Sequence, residues 1–399
     1  IWKWISRTIG DHQVQYVLAS THHRAVIRGH RDHCRDRGLA WKHEQLRRHV
    51  KRINRQTRAE AILTTAEDGG AATEEYLTEL LEFGHDPFAK HERIATEDLR
   101  ILQVFARNQS RQHVLYLAEL SRPAVFHLRS HSVDADCDHR LVVLKKLAPK
   151  RNADHAQQRE LLRQFLHEIH IVSLLDHPKI VQFIGLSWHT LADLGAVYEY
   201  MAKGDLGTLL ISASEEPSDD NAGPSKTRIA LNVLQALVYV HSFCAPIVHR
   251  NVRPKYVMLS SQLEAKLGGM HTAQRQTNDT LGLTLGEVEE DMVPYCGPEV
   301  IRGGHWTVAS DMYSFGVLLW ELATTKRPYD LSARQIVEQL LDDSGGRLQF
   351  GDHDAGCPDE ICRLAERCMR EDPADRPTAL EAHYQLGAIR CESAFARGA

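Results

Sequence analysis

The sequence predicts an α+β fold of two unequal lobes, a small β-rich one followed by a larger helical one. Short apolar, β-branched runs such as Ala124-Val125-Phe126 and Leu141-Val142-Val143-Leu144 read as strands from about residue 121 onward. A helix-period segment follows at 157–175, with Leu161, Leu162, Phe165, Leu166, Ile169, Val172 and Leu175 on or near one face. Further strands are predicted at 180–186 and 195–200. The polar, turn-rich stretch 212–226 is predicted to be a loop, and the chain beyond it is mostly helical.

Length and composition fit a globular protein of two or three domains. The 399 residues are 43% hydrophobic and 25% charged, with a net charge of −5. No stretch approaches the roughly 18 to 20 uncharged apolar residues of a membrane span. The eight cysteines are scattered and form no C-x-x-C pair, which gives zinc ribbons and dithiol redox sites no support. Reduced thiols and a cytoplasmic location are expected. The chain begins Ile1-Trp2-Lys3-Trp4 without an initiating Met, so an incomplete N-terminus is expected. The 24 histidines read mainly as solvated-face residues.

Residues 1–120 carry no motif and are expected to be mostly helical. Residues 21–60 hold twelve Lys/Arg against four Asp/Glu, whereas 61–100 hold three against ten. Nucleic-acid binding by the basic block is a minor expectation; a solvated face or pairing with the acidic block that follows is the favoured one. Residues 74–82 read as a short amphipathic helix.

The chemistry-bearing series begins at Val142-Val143-Leu144-Lys145. Glu168 follows in the predicted helix, then His177-Pro-Lys-Ile-Val-Gln-Phe-Ile-Gly185 and Val197-Tyr198-Glu199-Tyr200-Met201. Next come His249-Arg250-Asn251-Val252-Arg253-Pro254-Lys255-Tyr256-Val257-Met258-Leu259 and Ala265-Lys266-Leu267-Gly268-Gly269-Met270-His271. Gly297-Pro298-Glu299, Asp311-Met-Tyr-Ser-Phe-Gly316 and Cys368-Met-Arg-Glu-Asp-Pro-Ala-Asp-Arg-Pro377 complete it. In this order and spacing the series resembles the eukaryotic protein kinase domain, with a hinge and final helices most similar to the tyrosine-kinase-like group.

The resemblance implies a bilobal protein-kinase-like fold over 121–390, with a β-rich lobe at 121–200, a helical lobe at 201–390 and a tail at 391–399. By resemblance, Lys145 stands for the V-A-I-K lysine that holds nucleotide phosphates and Glu168 for its helix partner. Val143, Tyr198 (the gatekeeper position), Glu199, Met201 and Met258 would line a nucleotide pocket. His249, Arg250 and Asn251 would form the catalytic H-R-D position. Glu299, Asp311 and Arg376 would be structural anchors of the helical lobe, and Val172, His249 and Met270 would stack between the lobes.

The departures lie where phosphate would be transferred. No glycine occurs between Gly84 and Gly185, so a G-x-G-x-x-G loop, whose backbone must approach phosphates unobstructed, cannot be formed. The segment expected in its place, around 121–140, carries Arg122-Pro123, His127, Arg129 and His131. Asn251 replaces the Asp base, and loss of a general base typically costs about 10² to 10⁴ in rate. Tyr256 and Gly269 replace both metal ligands, and a neutral phenol is a poor magnesium ligand. No metal is therefore expected, and ATP is expected to bind weakly or not at all, since Val143 narrows the pocket. The resemblance implies a pseudokinase serving as signalling scaffold or allosteric regulator, with a protein partner such as an active kinase. The alternative is an active ATP-dependent protein Ser/Thr kinase whose metal carboxylates come from Glu264 or the run Glu287, Glu289, Glu290 and Asp291.

Overall fold

The computed structural model describes residues 92–108, 112–121, 141–148, 155–188, 193–215, 226–276, 288–341, 348–350 and 359–396. The basic block 21–60, the amphipathic segment 74–82, the strand expected at Ala124-Val125-Phe126 and Glu287 lie outside them.

One six-stranded sheet forms the small lobe. Its strands are β1 (Glu92–Arg93), β2 (Leu99–Asn108), β3 (His113–Leu120), β4 (Leu141–Leu147), β5 (Phe183–Ser187) and β6 (Gly195–Glu199), in spatial order β1-β5-β6-β4-β3-β2. All neighbours are antiparallel except β1, which runs parallel to β5. The sheet thus reaches back past the expected boundary at residue 121, and strands β1, β2 and β3 belong to it. By the resemblance, the connection between the antiparallel strands β2 and β3, and not the segment 121–140, stands where the phosphate-covering loop is expected. Gln112, immediately before β3, has φ of 49°, a left-handed conformation taken without glycine.

Alternation along β4 divides its side chains between two faces. Val142 and Leu144 join Ile94, Ala118, Leu120, Ile184 and Val197 in one apolar layer. Lys145 points to the opposite face, toward α1 (His155–Leu174), whose Phe165, Leu166, Ile169 and Val172 are buried. The observed helix lies within two residues of the predicted span.

The larger lobe is built around two helices with little solvated face. In α3 (Lys226–His241) every residue from Ile229 to Val240 except Gln235 is buried, the signature of a core helix. It follows α2 (Leu206–Glu215). After the short α4 (Pro298–Ile301) comes α5 (Val308–Thr324), opened by a hydrogen bond from the Thr307 backbone N–H to Ser310 Oγ at 3.1 Å. The helices α6 (Ala333–Leu341), α7 (Asp359–Cys368) and α8 (Ala379–Ala396) complete the lobe. Gly316 lets α5 approach α7: a Cβ there would lie 2.8 Å from Cys368 Cβ and 3.0 Å from the Ala365 carbonyl oxygen. Short strands β7 (Ile247–Val248) and β10 (Gln274–Arg275) pair, as do β8 (Val257–Leu259) and β9 (Ala265–Leu267), and these hairpins set the loop facing the small lobe. Among the described residues no helix is long and apolar enough to cross a membrane.

Candidate active site

The cleft between the lobes starts at Lys145. Its Nζ donates to both oxygens of Glu168, at 2.8 and 2.6 Å, with both side chains buried. Strand β4 and helix α1 therefore close on each other through a desolvated ion pair. The Tyr198 hydroxyl donates to the same Glu168 at 3.2 Å, and its ring packs edge-on against Phe183 at 5.6 Å. Burial, reinforced by Glu168, pushes the Tyr198 phenol well above its ordinary pKa, so it stays a donor. Glu199 has both oxygens engaged, one by the Gln182 backbone N–H at 2.6 Å and one by Lys266 at 2.6 Å. Met201 is buried, while Val143 and Met258 are half-buried.

Below the cleft the loop after β7 hangs from Asp311 of α5. The backbone N–H groups of His249 and Arg250 donate to its two oxygens at 2.8 Å each, and His241 Nε2 lies 2.8 Å from Oδ2. Arg250 adopts φ of 64°, which a non-glycine residue holds only when its surroundings enforce it. His249 is fully buried and hydrogen-bonded to the Gly268 carbonyl at 2.8 Å, and burial lowers its pKa so that the ring is neutral. Burial also lowers the Arg250 guanidinium to about 10, against the opposing pull of Asp311. Val172, His249 and Met270 are all buried.

The replaced positions touch one another. Asn251 Nδ2 lies 3.1 Å from His271 Nε2, and its buried Oδ1 has no hydrogen-bond partner among the described residues. The Tyr256 ring meets the His271 ring edge-on at 5.1 Å. Gly269 sits under the Tyr256 ring at φ of 74°. A Cβ added there would meet the ring's Cγ at 2.5 Å and Cδ1 at 2.6 Å. The space that a side chain at position 269 would enter is therefore occupied by the Tyr256 ring.

These residues do not fit a magnesium ion, which requires several oxygen ligands in near-octahedral array. Among the described residues no group of three His, Cys, Asp or Glu side chains could hold a metal ion. Of the carboxylates invoked for an alternative arrangement, Glu264, Glu289 and Asp291 are engaged elsewhere. Glu264 pairs with Lys179 at 3.0 Å, and Asp291 lies 2.8 Å from Arg253 and 3.0 Å from Lys255. Arg253, Lys255 and His271, passed over at the level of sequence, thus belong to the site. Their position inside the matched loops was the available signal.

Half-buried Glu299, at the start of α4, and buried Arg376 form a second anchor. The guanidinium grips both Glu299 oxygens at 2.7 Å and donates to the carbonyls of Ala309, Arg370 and Glu371.

With this geometry in view, the comparisons are specific. A family model described as protein tyrosine and serine/threonine kinase matches residues 123–386. The putative mitogen-activated protein kinase kinase kinase 7-like protein of Drosophila melanogaster is 31% identical over 226 residues, covering 55% of this chain and 54% of that protein. The probable serine/threonine-protein kinase roco5 of Dictyostelium discoideum is 27% identical over 252 residues, 62% of this chain and 9% of that protein. An L-type lectin-domain containing receptor kinase VI.2 of Arabidopsis thaliana is 28% identical, with 59% of this chain and 35% of that protein covered. The chain spans less than two thirds of each of these relatives.

Proposed function

The chain belongs to the protein tyrosine and serine/threonine kinase family, and from that premise we propose that it is a catalytically impaired member acting as a signalling scaffold or allosteric regulator. The observation that carries this reading is the contact between Tyr256 and Gly269. Metal ions neutralise the transferring phosphates in this family. Here one ligand position offers a phenol, the other offers no side chain, and the two fill each other's space. Asn251 adds the loss of a carboxylate base, and such losses act on one step without being additive.

The retained contacts support a binding role. Lys145–Glu168 holds α1 against the sheet, while Asp311 and the Glu299–Arg376 pair hold the loop and the larger lobe in shape. A domain so fixed presents α1 and the cleft rim to a protein partner, for which an active kinase is our candidate, and biases that partner's conformation by differential binding. In this reading ATP binds weakly or not at all and without magnesium, with Lys145 as the phosphate-facing cation of the pocket.

The decisive experiment combines a thermal-shift titration with ATP, with and without magnesium, and a transfer assay on a generic protein substrate. Ligand binding to the native state raises apparent stability by mass action. The expected result is no magnesium-enhanced shift and no transfer. Sustained transfer abolished by Lys145→Ala would instead establish an active Ser/Thr kinase.

A further inference from the structure

Arg253 is a buried cation held by acidic residues of a segment remote in sequence. Its side chain is 3% exposed, with the guanidinium 5.0 Å from the Tyr256 ring. Nη1 donates to the Asp291 carbonyl at 2.6 Å and pairs with the Asp291 carboxylate at 2.8 Å, while Nη2 lies 3.5 Å from Glu289. Lys255 reaches the other Asp291 oxygen at 3.0 Å. One carboxylate is thus shared by two cations, and among the described residues Nε and Nη2 of Arg253 have no hydrogen-bond partner.

Burial disfavours the Arg253 charge, but Asp291 and Tyr256 outweigh it and hold its pKa above the ordinary value. The guanidinium therefore stays charged and must have either an anion or water. If the carboxylates are neutralised, an unpaired buried cation remains, which is strongly unfavourable. The readiest relief is for the segment to lift so that Arg253 reaches solvent.

We propose that Glu289 and Asp291 form an acidic clasp that shuts residues 288–296 over the catalytic-loop strip Arg253–Tyr256. Neutralising the clasp charges, or offering a competing anionic side chain from a bound partner, opens that strip. The device goes beyond the scaffold reading and stands whether or not the domain transfers phosphate. Half the Asp291 side chain is exposed, so salt reaches its Lys255 arm while the Arg253 arm is shielded.

The test is hydrogen–deuterium exchange on the full chain, following peptides from 288–296 with α5 and α8 as internal references. Glu289→Gln/Asp291→Asn is expected to raise exchange in 288–296 about tenfold or more while α5 and α8 stay protected. Lys255→Ala removes only the solvent-facing arm, leaves folding intact and is expected to raise exchange about two- to fivefold, an effect that 0.5 M NaCl reproduces in the unmodified chain. Asp291→Glu is expected to preserve protection. Unchanged exchange in both neutralising variants, or a rise of equal size across α5 and α8, would overturn the proposal.

Discussion

The phenol ring of Tyr256 fills the space into which any side chain on Gly269 would project, with ring carbon Cγ 2.5 Å from the position of an added Cβ. The two residues lie in different hairpin-flanking loops, yet each is permitted by the other. An aspartate at 269 requires the ring to be gone, and the ring requires residue 269 to lack a side chain. The two departures from the family pattern are therefore one packing solution.

Restoring one ligand alone should fail. Gly269→Asp forces a side chain into a filled site at positive φ and is expected to destabilise the domain by about 1–3 kcal/mol. Adding Tyr256→Asn empties the site and should recover most of that loss. Only the double variant is expected to show a thermal shift that depends on magnesium and ATP together. Urea midpoints and melting temperatures with and without the ion distinguish these outcomes. A stable single Gly269→Asp variant would contradict the packing account.

The Lys145–Glu168 pair yields a second expectation. With both partners buried, Glu168→Ala strands the ammonium and should cost about 3–5 kcal/mol. Lys145→Met/Glu168→Leu removes both charges at similar volume and should cost clearly less than Glu168→Ala alone. Urea unfolding at unchanged m-value provides the measurement. Simple additivity of the single substitutions would show that the pair is not coupled.

Arg376 tests shape against charge. Its five N–H donors are all used, on Glu299 and on three backbone carbonyls, with the guanidinium also 5.0 Å from the Tyr313 ring. Arg376→Lys keeps the charge but cannot form the fork or reach the separate carbonyls. We expect a loss of about 1–3 kcal/mol, the cost of leaving buried acceptors unpaired. Chemical denaturation measures it, and a change below the error of extrapolation would count against the fork.

Much of this site could be read from sequence because its anchors lie in ordered motifs. Lys145, Glu168, Asp311, Glu299 and Arg376 make the contacts that the resemblance implied. The start of the sheet was not legible. Strand β2 places Ile101, Leu102, Val104 and Phe105 in exposed positions, and two register shifts break its alternation. A period-two search fails on such a strand, and the glycine-free turn at Gln112 removed the usual marker. The fit of Tyr256 to Gly269, the hydrogen bond of Asn251 to His271 and the Arg253–Asp291 pair were hidden for a different reason. They are contacts between loops, and each residue read singly is only a departure from a pattern.

Glu321 supplies the final prediction. It is buried in α5 and accepts a hydrogen bond from the Tyr295 hydroxyl at 3.0 Å. Burial pushes its carboxyl up to about 8, against the opposing effect of that hydrogen bond. Between the ordinary carboxylate pKa of about 4.3 and about 8, the folded form holds a proton that the unfolded chain has lost. The native state thus binds more protons in this window, so stability falls as pH rises through it and levels off above. Glu321→Gln keeps an acceptor for Tyr295 and cannot ionise. The variant is expected to match the unmodified protein near pH 4.5 and to become progressively more stable than it by pH 8. Urea midpoints of the two proteins across that range measure the divergence, and parallel curves would show that Glu321 does not hold its proton in the fold.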